Sequence, residues 1–187
     1  MPRPITLVTT VDPEGRINAA PFSSFNCLSA DPPILALGVE THPDMRFKDT
    51  GLNIRLTEVF TVNIVSHAIA GAMHVCAVPF APEHDELKAA GLTAMPGKTV
   101  ASPWVKEAAT AFEYRRHITL ELGKSRQIIM GGILFAHYHS DIIDAERLHI
   151  DPAKLDAIAR LGGSTCSTIR DRFDMKTPTL HWTDLNL

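Results

Sequence analysis

The first forty residues alternate apolar runs with turn residues, as a β-hairpin does. Segment 5–11 is rich in β-branched residues, Asp12-Pro-Glu-Gly15 has the composition of a tight turn, and segment 16–22 returns as a second apolar run. Segment 34–39 is mostly apolar, which is typical of a strand inside a sheet. The pattern therefore predicts antiparallel strands at the start of the chain.

Helical and strand patterns are interleaved further along. The predicted elements are a helix from Asp49-Thr50, a strand over 60–65, helices over 68–75 and 83–90, and a loop over 93–105. Asn63 is expected on the less buried side of its strand. Gly91 is expected to end the second short helix.

The last third of the sequence again favours strands. We expect a half-buried strand over 117–122 and a buried strand over 127–135. Gly131-Gly132 would bend the buried strand or allow another backbone to approach it, and 137–143 would extend it. A final helix is predicted from Asp151-Pro152 to Leu161, closed by Gly162-Gly163. The polar tail, 164–187, is expected to pack on the body or on a partner.

The order of these elements favours a mainly β fold with peripheral helices. Strands come first and helices are inserted between later strands, which differs from the regular alternation of a doubly wound sheet. Neither a GxGxxG nor a GxxxxGK[ST] motif is present. We therefore expect one antiparallel barrel domain over 1–187.

Composition narrows the classes of function. With 45% apolar and 21% charged residues the chain is that of an ordinary globular protein, and a net charge of −3 predicts no nucleic-acid partner. Its three cysteines lack metal-binding spacing, which favours reduced thiols. No apolar run is long enough to span a bilayer, and no signal peptide is recognisable. We expect a cytoplasmic protein without a membrane partner.

Two stretches carry candidate chemistry. The run from Asn18 to Pro33 breaks into Ser23, Ser24, Asn26 and Ser29, which offer many hydrogen-bond donors in a short span. This indicates a site for a polar ligand, and the alternative is an ordinary Ser/Asn-rich loop. Lys48-Asp49-Thr50 precedes a helix, where a lysine and oriented N–H groups suit an anion. The alternative there is a capped surface helix with a solvated lysine.

An ordered set of motifs resembles one known family. Its members in this sequence are Arg3-Pro-Ile-Thr-Leu-Val-Thr-Thr10, Asp12-Pro-Glu-Gly15, Asn18 to Asn26, Ser29 to Pro33, Lys48-Asp-Thr50 with Asn53-Ile54, Phe60-Thr-Val-Asn63, Ala90-Gly-Leu-Thr93 and Arg160-Leu-Gly-Gly163. Together they resemble the flavin-reductase-like, FMN-binding split-barrel proteins, which include flavoredoxins. The resemblance implies an antiparallel split β-barrel, a homodimer with FMN near the subunit interface, and an oxidoreductase that takes electrons from NADH, NADPH or a carrier to a small-molecule redox substrate.

The resemblance also implies which residues hold FMN. The expected cofactor-binding residues are Ser24, Phe25, Asn26, Cys27, Ser29, Lys48, Asp49, Thr50 and Asn53. The strand residues would line the flavin ring, with Ser29 or its neighbours reaching the phosphate. Lys48 and Thr50 would hold the phosphate, while Asp49 would cap the helix. Cys27 is expected to be a buried small apolar residue and not a redox thiol.

Two departures from the family pattern leave the activity open. Short reductases of this superfamily carry Gly-Asp-His on a late strand, where this chain has Met130-Gly-Gly-Ile133, and relatives carry a tyrosine near Cys166. A non-catalytic FMN-binding or electron-carrier protein is therefore an alternative. A second alternative is a metal-dependent enzyme that uses His137, His139 and Asp141 on one strand face. The sequence identifies no catalytic residue.

Overall fold

The computed structural model describes residues 1–176, in which strands dominate. The strands are β1 Arg3–Pro4, β2 Thr6–Val11, β3 Ile17–Phe22, β4 Phe25–Ala30, β5 Pro33–Glu40, β6 Val59–Ile64, β7 Ala94–Met95, β8 Trp104–Val105, β9 Thr110–Leu122, β10 Arg126–Tyr138, β11 Ile143–Asp144, β12 His149–Ile150, β13 Ile158–Gly162 and β14 Thr165–Thr168. The helices are α1 Asp49–Thr57, α2 Ala70–Val75, α3 Glu86–Ala89 and α4 Pro152–Leu155, with a 3₁₀ turn at His67–Ile69.

Seven strands form one antiparallel sheet. Their order is β3-β2-β6-β9-β10-β5-β4, so β3 and β4 are its two edges. The predicted hairpin is confirmed: the Asp12 carboxylate accepts hydrogen bonds from the backbone N–H groups of Glu14 and Arg16, and Gly15 has a φ of 83°. Glycine is favoured there because a Cβ disfavours positive φ. The expected mainly β architecture with peripheral helices is confirmed.

Two buried clusters occupy opposite faces of this sheet. Leu7 and Val8 are neighbours on β2 and, because side chains alternate along a strand, they enter different clusters. One cluster gathers side chains of β5, β6 and α1 around Phe60 and Tyr114, whose rings stack 5.0 Å apart. The other lies under α2 and α3 and includes Ile158. Helix α1 is therefore fixed against the sheet by apolar packing of Ile54, which is fully buried.

The Gly131-Gly132 pair serves packing. A Cβ on Gly131 would lie 2.7 Å from the Phe60 ring, and the strand register shifts between Met130 and Gly131. The expected irregularity is thus present. The group that approaches Gly131 most closely is an aromatic side chain.

Two sequence predictions about the environment of single elements were wrong. Asn63 is fully buried: its amide donates to the carbonyl of Leu7 and its Oδ1 accepts from the backbone N–H of Val105. Helix α3 begins only at Glu86, and its Leu87 is buried in the core. Strand β6 therefore lacks the less buried side that its local pattern indicated, and α3 is shorter than predicted and buries one side against the core.

The predicted C-terminal helix was also wrong. Helix α4 ends at Leu155, Asp156 adopts a left-handed conformation with a φ of 44°, and the chain then forms β13. This strand pairs with β1 on one side and β14 on the other, and those backbone hydrogen bonds outweigh the local helical pattern. Of the polar tail, β14 packs on the body, while 177–187 lies outside the described residues. Within residues 1–176 no helix is long and apolar enough to cross a bilayer.

Candidate functional site

Strand β4 presents the predicted ring-binding residues on an open sheet edge. It pairs only with β5, so the backbone N–H and C=O groups of its other side have no strand partner among residues 1–176. Asn26 and Ser29 are exposed on it, and Ser24 is exposed just before it. Phe25 is half-buried and packs on the core cluster around Phe60. An exposed edge with free backbone donors can hydrogen-bond the polar rim of a flat ligand.

Cys27 lies on the same strand but not in the environment expected for it. Its predicted burial was wrong, because it is exposed at the edge next to a register shift between Cys27 and Ser29. It lies close enough to Tyr114 that a thiolate there would raise the pKa of the tyrosine, which burial already raises strongly. An edge strand has no neighbour to cover such a side chain.

The start of α1 has the features of an anion site. Lys48 occupies the N-cap position in an extended conformation, and no side chain accepts a hydrogen bond from the first-turn N–H groups. Asp49 is the first helical residue and does not cap the helix, so that expectation was wrong. Lys48 is exposed and forms no ion pair with any residue in 1–176. Uncapped N–H groups beside a free ammonium group attract a phosphate.

Thr50 and Asn53 anchor α1 to the first hairpin. Thr50 is 2% exposed and its hydroxyl accepts a hydrogen bond from the Asn18 amide at 3.0 Å. Asn53 is 5% exposed and donates to the Thr10 hydroxyl at 3.1 Å. Asn18 also donates to Thr10. The network fixes where the helix starts, and the cofactor contacts expected of Thr50 and Asn53 stay predictions.

The structure brings the first part of β4 towards α1. A Cβ on Gly51 would lie 3.3 Å from Val39 Cγ1, so the first turn of the helix packs on Val39. Phe25 pairs with Leu37, which is two residues from Val39, or about 7 Å along a strand. Ser29 pairs with Ile34, which lies roughly 17 Å from Val39 along the same strand. Within one chain, Ser29 and Lys48 are therefore not brought together.

A cavity of about 840 Å³ lies beside α1, between the first hairpin and the 42–47 segment. Three carboxylates line it, from Asp12, Glu14 and Asp49. Its two arginines, Arg16 and Arg46, each hold a carboxylate already. This mixture of charges is less favourable for a phosphate than the start of α1 itself.

The metal hypothesis finds no support in the described part of the chain. Strand β10 ends at Tyr138, so His137, His139 and Asp141 do not share one strand face. The Nε2 atom of His137 lies 2.6 Å from a carboxylate oxygen of Glu113, and that of His139 lies 2.9 Å from the carbonyl oxygen of Lys106. Within residues 1–176 no group of three His, Cys, Asp or Glu side chains is placed to hold a metal ion.

Glu113 forms a buried cluster that the sequence did not indicate. Its side chain is fully buried and accepts hydrogen bonds from the backbone N–H groups of Lys98, Thr99 and Val100 and from the Thr99 hydroxyl, besides its contact with His137. Burial raises the pKa of this carboxyl, but hydrogen bonds from Thr99, Lys98 and His137 outweigh burial and lower the pKa to about 2. The carboxylate therefore holds the 98–100 turn.

Comparison with known proteins identifies the family. The model of the family described as "Flavin reductase like domain" matches residues 1–153. A protein of Deinococcus radiodurans is 37% identical to this chain, over 94% of this chain and 79% of the relative.

Solved structures agree on the fold. The structure of Pseudomonas fluorescens 2-nitrobenzoate 2-nitroreductase NbaA has a TM-score of 0.88 and 33% identity, and the match covers 97% of this chain and 87% of that one. A split-barrel domain protein from Shewanella frigidimarina NCIMB 400, at 22% identity, has a TM-score of 0.84 over 95% of this chain and 87% of its own. The chain thus belongs to the flavin reductase-like family of split-barrel proteins, whose class of chemistry is flavin-related oxidoreduction.

Proposed function

We propose that this protein is an FMN-dependent oxidoreductase, which passes electrons from a reduced nicotinamide or a reduced carrier through FMN to a small-molecule acceptor. The observation that carries the proposal is the uncapped start of α1, with its free Lys48, which packs on β5 beside the open edge strand β4 that pairs with β5. The two features match the two polar ends of FMN, a phosphate and the rim of a flat ring.

Lys48 and the first-turn N–H groups of α1 would hold the phosphate. The lysine contributes a point charge, and the helix N-terminus contributes oriented donors that nothing in residues 1–176 caps. Thr50 and Asn53 would act indirectly, because their buried hydrogen bonds to Asn18 and Thr10 fix the position of the first turn. The site therefore has a rigid base and an exposed charged rim.

Strand β4 would line the ring. Backbone groups of its free side and the exposed Asn26 amide can hydrogen-bond the polar rim, while Phe25 offers an apolar surface. Bound flavin would supply the hydride or electron chemistry, and the protein need only bind it, orient it and control access of water. This explains why no nucleophile–base pair is required at the site.

The partner we propose is a second copy of this chain. Side chains of β9 that point away from the core, Ile118, Leu120 and Leu122, are 44%, 39% and 49% exposed, and Leu28 on β4 is 55% exposed. Exposed apolar side chains on the ring-binding strand and on β9 of the same sheet support a homodimer with FMN near the interface. Light scattering coupled to size-exclusion chromatography tests it, and a monomer at micromolar concentration would contradict it.

A non-catalytic FMN carrier is the second candidate. The stretch that stands in place of Gly-Asp-His is used for packing, because Gly131 makes room for the Phe60 ring. No histidine is offered there to a nicotinamide. Stopped-flow mixing of the FMN-loaded protein with NADH and with NADPH separates the two functions: rapid bleaching of flavin absorbance excludes a pure carrier.

The first experiment is an absorbance spectrum of the purified protein, with the released chromophore identified by mass. Two flavin bands and release of FMN on denaturation are the expected result. A colourless protein that also fails to bind added FMN would contradict the proposal.

Replacing Lys48 tests the phosphate assignment. Lys48→Ala should weaken FMN binding by about 1.5–3 kcal/mol, the value of a charge-assisted hydrogen bond, or roughly tenfold or more in Kd. Riboflavin, which lacks the phosphate, should bind unchanged. Lys124→Ala, in the turn between β9 and β10, is the matched control. Equal losses for FMN and riboflavin would place the phosphate elsewhere.

A further inference from the structure

Two arginines lie directly opposite each other in the three-stranded sheet formed by β1, β13 and β14. Strand β1 pairs with β13 in a register that places Arg3 opposite Arg160, and β14 places Cys166 opposite Arg160 on its other side. Directly opposite residues of an antiparallel pair project from the same face. Two like charges in this position destabilise a sheet unless an anion lies between them.

Neither arginine is neutralised by the described part of the protein. Other arginines, such as Arg16 and Arg170, hold carboxylates, but Arg3 and Arg160 form no ion pair within residues 1–176. One guanidinium N–H of Arg160 donates to the carbonyl of Gly163 at 2.6 Å. That bond fixes the group, and no other residue of 1–176 accepts a hydrogen bond from the remaining donors of the five that a guanidinium carries.

Two cavities lie beside these side chains. Arg160 lines one of about 390 Å³ and Arg3 lines one of about 380 Å³, and Ser23 lines both. His74 adds an imidazole to the first cavity. No aspartate or glutamate among residues 1–176 lines either cavity, in contrast to the larger cavity beside α1. The local charge therefore favours an anion.

Part of the first cavity is apolar. Ile5 and Met73, both buried, form part of its lining together with Phe22. A ligand that fits would carry an oxyanion at one end and an apolar body at the other. The second cavity continues along Ser24, Phe25 and Asn26, so such a ligand would lie against the strand that we assign to the flavin ring.

We propose that Arg3 and Arg160 bind the carboxylate of a small, partly apolar organic acid, whose body lies in the cavity over Ile5 and Met73. That this acid is the redox substrate rests on the proposed function, because only a bound flavin would make its position next to β4 productive. A planar guanidinium recognises a carboxylate with two parallel hydrogen bonds, which a lysine cannot do.

Binding can be tested without any flavin. Benzoate and benzamide have the same shape but differ in charge, so they are titrated into the flavin-free protein in a low-salt buffer that contains no other oxyanion. Chemical shifts of backbone amides are followed by NMR. We expect benzoate to shift amides of β1 and β13 and to bind at least tenfold more tightly than benzamide. No saturable benzoate shifts, or equal affinity for the two ligands, would overturn the proposal.

Three variants locate the site. Arg160→Gln and Arg3→Gln should each weaken benzoate binding about tenfold or more, the effect of losing a charge-assisted bond. Arg147→Gln is the matched control, since Arg147 lines neither cavity, and it should leave the affinity unchanged. Unchanged benzoate affinity in both test variants would overturn the assignment, and a native-like amide spectrum shows that each variant folds.

The flavin phosphate is the other oxyanion that this pair could hold. If it is the ligand, Arg160→Gln should weaken FMN binding about tenfold or more while leaving riboflavin binding unchanged, and this result would overturn the substrate proposal. If the organic acid is the ligand, Arg160→Gln should change the binding of FMN and of riboflavin equally or leave both unchanged. A protein that binds benzoate at Arg160 but never binds FMN would refute the proposed function and leave the oxyanion site standing.

Discussion

Glu113→Gln should destabilise the protein strongly, although it changes one atom and keeps the side-chain volume. The carboxylate accepts hydrogen bonds at 2.5 Å from the Lys98 N–H and at 2.6 Å from the Thr99 N–H, and lies 2.6 Å from His137 Nε2. A glutamine carries one NH₂ group in place of an acceptor oxygen. That NH₂ would face donors and leave at least one of them unpaired in a fully buried site.

The magnitude follows from the pKa of the carboxyl. Hydrogen bonding lowers that pKa from 4.5 to about 2. The difference corresponds to roughly 3 kcal/mol of folding free energy at pH 7, since one pKa unit is about 1.4 kcal/mol. Because the folded-state pKa is depressed, this contribution is present above about pH 4.5 and is lost as the pH falls towards 2. At pH 3 roughly 1.4 kcal/mol remains.

Urea unfolding of the wild type and Glu113→Gln at pH 7 and pH 3 measures both quantities. The variant should be about 3 kcal/mol less stable at pH 7, and the gap should shrink by roughly 2 kcal/mol at pH 3. Glu146→Gln is the control: Glu146 is exposed and should stay within about 0.5 kcal/mol of the wild type. A loss that is small at pH 7, or one that does not change with pH, would refute the assigned role of Glu113.

Three other experiments test the packing. Gly97→Ala should destabilise the fold by about 1–3 kcal/mol in urea unfolding, because its Cβ would lie 2.3 Å from a backbone carbonyl oxygen. Gly71→Ala, in open space within α2, should be neutral or stabilise the fold by up to about 1 kcal/mol. The same sign of the change in stability for both substitutions would contradict this reasoning. Gly131→Ala should cost about 1–3 kcal/mol by displacing the Phe60 ring, and wild-type stability would mean that the ring moves freely. Burial raises the pKa of the Cys76 thiol to about 11. At pH 8 a thiol reagent should therefore react with the two exposed cysteines first and with Cys76 only after unfolding. Three thiols that react equally fast would contradict the burial of Cys76.

Local patterns predicted the parts of the fold that short-range chemistry dictates. The hairpin closed by Gly15 needs only turn residues between two apolar runs, and α1 begins within one residue of its predicted start. The motif set also indicated the family before any contact was known. Patterns failed where distant segments compete: residues 156–162 have a helical spacing, but pairing with β1 and β14 makes them a strand.

The candidate site shows the same division. The sequence alone indicated Lys48 ahead of a helix and a donor-rich run at 23–29, since both are contiguous. It could not show that Thr50 is buried against Asn18, that Glu113 holds a turn, or that Arg3 faces Arg160 from the other end of the described chain. Residue types and turns depend on neighbours in sequence. Burial, pKa values and the pairing of charges depend on neighbours in space, and only the tertiary structure decides those.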